Sequence, residues 1–112
     1  NSSDTLGSRG CRMDSVKVSR GVGPGVLVQN GSKGITLIAP EIAACQSGMT
    51  VAGGVAQASD VVVIGGRFHG NSVCDVFASS TGAGNRAIGA AGSAVSGLPS
   101  VQLSGLAEFA VV

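Results

Sequence analysis

Aromatic side chains are nearly missing from this sequence. Of its 112 residues three are Phe and none is Trp or Tyr, so aromatics make up 3%. Charge is scarce as well: charged residues amount to 12% and the net charge is +1. The basic residues are scattered, which leaves no electrostatic footprint for nucleic acid. No apolar run approaches the ~20 residues that a membrane-spanning helix needs. The three cysteines, Cys11, Cys45 and Cys74, are odd in number and lack Cys-x-x-Cys spacing. That pattern argues against a disulfide framework and for small buried hydrophobes. With the single His69 they fall short of a zinc site, and no metal or cofactor is expected. The amino end, Asn1-Ser2-Ser3-Asp4, has neither an initiator Met nor the basic-then-apolar pattern of a signal peptide. It reads as the start of a fragment, a processed product or a trimmed chain.

What is present is aliphatic and small. Hydrophobic residues reach 44%, dominated by Val, Ala and Ile, and 19 glycines interrupt them. Helical bundles keep glycine out of their elements, so this mixture belongs to short strands and tight turns. It is too apolar for disorder, and its length fits one domain at most.

A phrase recurs along the chain. It reads Gly34-Ile35-Thr36-Leu37-Ile38-Ala39-Pro40-Glu41-Ile42, then Asp60-Val61-Val62-Val63-Ile64-Gly65-Gly66-Arg67-Phe68, then Ser100-Val101-Gln102-Leu103-Ser104-Gly105-Leu106-Ala107-Glu108-Phe109. A fainter copy starts at Ser15-Val16-Lys17-Val18. Each copy is an alternating strand, a small-residue kink, and a charged residue followed by an apolar one. Between the copies lies a second series: Val26-Leu27-Val28, Met49-Thr50-Val51 and Cys74-Asp75-Val76. Two interleaved series at such spacing describe a coil of stacked units that share one core. Alternation sends Ile35, Leu37, Val61, Val63, Met49, Val51, Cys74 and Val76 inward, and Leu27, Thr50, Asp75 and Gln102 outward. Residues 1–13 read as a lead-in or cap, and 14–112 as the coil. Residues 79–97 break the rhythm and read as a loop leaving it, with an additional turn around Ala87-Ile88 as the alternative.

The stretches Gly25-Val26-Leu27-Val28, Lys33-Gly34-Ile35-Thr36-Leu37, Gly48-Met49-Thr50-Val51 and Ser59 through Asn71 carry a resemblance. The pattern resembles the right-handed parallel β-helix of the pectate-lyase-like superfamily, above all its branch in bacteriophage tailspikes and tail fibres. The likeness covers residues 14–78 well and 98–109 adequately. It implies an all-β solenoid of about four rungs, a homotrimer, a virion or extracellular location, and contact with a host surface polysaccharide and other virion proteins. Family enzymes usually have many more rungs. A short coil has two open ends, which makes neighbours, caps or partner subunits necessary.

Candidate chemistry is sparse. The repeat sets Glu41, Arg67 and Glu108 at one outward position on successive rungs. Glu41 and Glu108 would then stand about 9.6 Å apart at the usual strand spacing, at the outer limit of the separations that glycosidase carboxylates show. The simpler reading is an alternating-sign ladder. Arg67, His69, Asn71 and Asp75 form a polar cluster after the Gly65-Gly66 corner, open to a binding or acid–base role or to an ordinary polar turn. Asn85 and Arg86, inside the expected loop, join Arg67, His69 and Asn71 as candidate glycan contacts. No nucleophile-elbow pattern is present. Gly21-Val22-Gly23-Pro24-Gly25 lacks the spacing and the Lys of a phosphate loop, and reads as a turn. Asn1 and Asn30 begin glycosylation-like triplets of a kind common by chance. The expectation is a structural or receptor-recognition module of a tailspike or tail fibre that presents loops to a surface polysaccharide. The alternatives are a polysaccharide lyase or glycoside hydrolase fragment using Glu41, Glu108 or Asp75, and a capsid decoration protein. Neither nucleic-acid binding nor membrane insertion is expected.

Overall fold

The computed structural model describes residues 10–19, 23–29, 31–53, 56–94 and 96–112. Residues 1–9 of the lead-in, Gly21 and Val22 of the glycine-rich turn, and Asn1 and Asn30 of the glycosylation-like triplets lie outside the described residues.

Among the described residues twelve short strands build the coil: β1 Arg12–Asp14, β2 Lys17–Ser19, β3 Val26–Val28, β4 Thr36–Ile38, β5 Glu41–Ala43, β6 Ser47–Val51, β7 Val62–Ile64, β8 Arg67–His69, β9 Cys74–Ala78, β10 Arg86–Ile88, β11 Val101–Leu103 and β12 Ala110–Val111. All pairs are parallel. The strands form three sheets, ordered β1-β4-β7-β10-β12, β2-β5-β8 and β11-β9-β6-β3. From β1 to β10 consecutive strands visit the three sheets in turn, and in the last turn an isolated bridge at Ala91 takes the place of a strand on the three-stranded side, so the chain is a parallel β-solenoid of about four turns with three sides. Arg12, Thr36, Val62, Arg86 and Ala110 stand opposite one another, so a turn takes 24 to 26 residues.

Left-handed backbone makes the corners. Ser15, Ala39, Gly65 and Gly89 occupy equivalent positions and all have positive φ, from 50 to 69°. Gly10, Gly34, Asp60 and Gly84 repeat the pattern ahead of the next strands. A left-handed Ala or Ser costs about 1 kcal/mol, and stacking repeats that conformation rung after rung. The ladder runs on through the bend: the amides of Ser15, Ala39 and Gly65 donate to the carbonyls of Ile38, Ile64 and Ile88 at 2.8 Å. Glycine is required at Gly66, where φ is 85° and a Cβ would lie 2.4 Å from the carbonyl oxygen of Pro40.

Inside, like stacks on like. Leu37 pairs with Val63 and Val63 with Ala87, while Ile42 pairs with Phe68 and Met49 with Val76. All are essentially without solvent exposure. Columns of aliphatic side chains at strand spacing supply the apolar burial that holds the turns together.

Three expectations are corrected by the pairing. The Val16 phrase lies on the side of Glu41, with Val18 opposite Ile42. The Val101 phrase lies on the side of β9, with Val101 opposite Val76. The true first copy is instead Arg12–Asp14, so the coil begins within the stretch expected to be a lead-in. Valine strands on all three sides alternate alike, so alternation gives the face of a strand but not its sheet.

Second, residues 79–97 do not form a loop leaving the coil. Arg86–Ile88 is β10, paired with β7 and continued by a bridge from Arg67 to Ala91. The surplus length is an additional turn of the coil, ending in a compact bend where Gly92 donates to Gly97 and Ala94 to Leu98. Alanines and glycines gave this turn too weak an apolar signal. In the column where Ile35 and Val61 stand, it carries Asn85.

Third, β9 is shifted by two residues from the expected stacking: Val76, rather than Cys74, stands opposite Met49. Asp75, expected on the outer face, lies beside Gly48 and is completely buried, because Ser93 and Ser100 close over its carboxylate.

Candidate functional site

Lys17, Glu41 and Arg67 stack on the outer face of the three-stranded sheet. Lys17 Nζ lies 3.7 Å from one Glu41 oxygen, and His69 Nε2 lies 3.3 Å from the other. The hydrogen bond from His69, followed by the charge of Lys17, holds the Glu41 carboxyl below its usual range. This half of the expected ladder is present. Glu108 does not extend it: on the next rung the position belongs to Ala91. Glu108 precedes β12 by two residues, level with Gly84 on another side of the coil. The proposed carboxylate pair is therefore not assembled.

Asp75 holds a different site. Its Oδ2 accepts hydrogen bonds from the Ser93 amide at 2.7 Å, the Ser93 hydroxyl at 2.8 Å and the Ser100 amide at 2.9 Å. Its Oδ1 accepts from Asn71 Nδ2 at 3.1 Å. The Asp75 amide donates to the Ser100 hydroxyl at 2.9 Å. Burial acts to raise its pKa, but the donors on Ser93, Ser100 and Asn71 prevail and hold the carboxyl below its usual range. Buried and already accepting four hydrogen bonds, this carboxylate is engaged with the fold rather than turned toward a substrate. It fastens Ser93 and Ser100, and β11 behind them, onto the coil.

Asn71 is divided between two duties, accepting from the Cys45 amide at 3.0 Å while it donates to Asp75. Asn85 is buried and fully engaged: its Oδ1 accepts from the Val61 amide, and its Nδ2 donates to the carbonyls of Ala58 and Gly82. Both asparagines therefore tie rung to rung. Arg67 and Arg86 remain exposed on different sheets. Among the described residues no His, Cys, Asp and Glu group could hold a metal ion.

The feature missed in the sequence is a groove of about 340 Å³ on the outer face of the four-stranded sheet. Gln46, Thr50, Phe77 and Gln102 line it with Ser47 and Cys74, and Pro24 and Val73 complete its wall. Thr50, Phe77 and Gln102 are stacked neighbours on β6, β9 and β11. The Ser47 and Thr50 hydroxyls share a hydrogen bond at 3.0 Å. Burial, then the neighbouring Asp75 charge, pushes the Cys74 thiol up, which favours its neutral form. The outward placement of Thr50 and Gln102 was legible from alternation. Their meeting was not, because it depends on Val101 joining the sheet of β9.

The fold and this groove define the class: an all-β parallel solenoid with a neutral amide, hydroxyl and phenyl surface on one flat side. No protein family, characterised protein or solved structure matches the chain.

Proposed function

We propose that this chain is a β-helical structural and receptor-recognition module of the bacteriophage tailspike or tail-fibre kind. It holds a surface polysaccharide in the groove over Thr50, Phe77 and Gln102, and acts as a homotrimer on the virion surface. The groove carries this reading. Binding sites combine an apolar wall with a few convergent polar groups, and here Phe77 offers a face for sugar C–H groups while Gln46, Gln102 and Thr50 offer donors and acceptors for hydroxyls. The lining contains no carboxylate, which favours holding a glycan over cleaving it. The recognition surface expected on 79–97 moves accordingly to the sheet.

The test is titration with a panel of bacterial surface polysaccharides, following the Phe77 ring and the Gln102 amide by NMR. Saturable shifts there are expected, with affinity reduced roughly tenfold or more in Phe77→Ala, a loss of about 1.4 kcal/mol. Release of new reducing ends would favour the hydrolase reading. Shifts centred on Arg67 and His69 would move the site to the charged column.

A further inference from the structure

The outer face of the five-stranded sheet has a pattern that the groove does not use. One outward column runs Asp14, Ile38, Ile64, Ile88, Val112. Its neighbour runs Arg12, Thr36, Val62, Arg86, Ala110. Ile64 and Ile88 are 44% and 40% exposed, although outward positions on a solvated sheet are ordinarily polar. Continuous apolar stripes of this kind mark interaction surfaces. At one end of the face stand a base and an acid on the same rung, Arg12 and Asp14, joined at 3.1 Å and both well exposed.

We propose that this face docks a second copy of the chain, coil parallel to coil and rung in register. The Arg12 column of one copy lies on the Ile64 column of the next. Arg12 then meets Asp14 of the neighbour, and Val62 packs on Ile64 of the neighbour. The charges select this partner and this orientation. Slipping by one rung, about 4.8 Å, sets Asp14 against Thr36 and loses the pair. An antiparallel neighbour sets Asp14 against Val112 or, one rung over, Arg12 against Arg86. Only the parallel register joins Arg12 to Asp14 while Val62 packs on Ile64; the Thr36 side chain and the Arg86 stem then lie along Ile38 and Ile88. The arrangement closes equally well around a two-fold or a three-fold axis along the coil, because each copy offers one column and receives the other. It rests on the self-association in the proposed function and gives it an interface, but not on the glycan reading, whose groove lies on another side of the coil and is tested separately by the polysaccharide titration.

Sedimentation equilibrium on the full chain tests it. The wild type is expected to associate. Ile64→Glu is expected to sediment as a single chain, with its amide spectrum showing the fold retained. Arg12→Asp and Asp14→Arg should each associate roughly tenfold more weakly or worse, since each sets like charges face to face. The double variant Arg12→Asp/Asp14→Arg should restore association, because every chain then offers an acid where its neighbour offers a base, whichever axis closes the assembly. A wild type that remains a single chain overturns the proposal. So does an Ile64→Glu chain that still associates, or a double variant that does not recover.

Discussion

Two carboxylates on adjacent sides of this coil do opposite work. Glu41 stands on the outer face of the three-stranded sheet, with Lys17 and His69 at 3.7 and 3.3 Å. Asp75 is fully buried and receives four hydrogen bonds, two of them from backbone amides. Both carboxyls are held below their usual range, for different reasons. Around Glu41 the partners are long, exposed side chains that water and salt screen. Around Asp75 the donors are fixed by the fold and shielded, and removing the acceptor would strand them. The Glu41 carboxylate sits at the surface among screened partners, whereas Asp75, expected outward in the polar cluster after the Gly65-Gly66 corner, is buried and fastens the last turn.

Substitution of Asp75 breaks this comparison most severely. Asp75→Asn turns an amide NH2 toward amides that need an acceptor. A loss of about 3 kcal/mol is expected, read as a Tm lower by roughly 10 °C or more. Because β11 hangs on this contact and carries Gln102, glycan binding should fall with it. Gly48→Ala comes next. A Cβ there would lie 2.6 Å from the Asp75 carbonyl oxygen and 2.8 Å from the Phe68 ring. The rungs must part to admit it, at about 2 kcal/mol by chemical denaturation.

Acid titration sharpens the same contrast. The Asp75 pKa is depressed on folding, so its contribution is fully present above the unfolded value near 3.9 and is lost as pH falls through the folded value. Wild-type Tm should therefore drop below about pH 4, and the drop should be flattened in Asp75→Asn. The smallest effect is expected from Glu41→Gln, which should leave Tm at neutral pH unchanged within error. A large loss there would mean that the exposed column carries the fold.

The legibility of the coil follows the same division. The β4, β6 and β7 strands announce themselves through Ile35, Leu37, Met49, Val51, Val61 and Val63, whose bulk and alternation mark an inner face. The fourth turn was hidden because Ala87 and Asn85 occupy the corresponding places. Asn85 shows why: a buried amide that bonds Val61, Ala58 and Gly82 can stand where an aliphatic residue would, and it carries no hydrophobic signal. Nor could alternation reveal that β11 joins the sheet of β9, which is what assembles the groove. The Glu41–Arg67 pair was readable because both follow the same corner. Glu108 was misplaced because Ser104-Gly105 imitates that corner, while the backbone there belongs to another side.

Hydrogen exchange at the Ser93 and Ser100 amides tests most directly whether the Asp75 carboxylate holds the last turn and its groove wall. Both amides should be strongly protected in the wild type, exchange quickly in Asp75→Asn, and stay protected in Glu41→Gln. Rapid exchange at these two amides in the wild type, or equal protection in Asp75→Asn, would contradict the account.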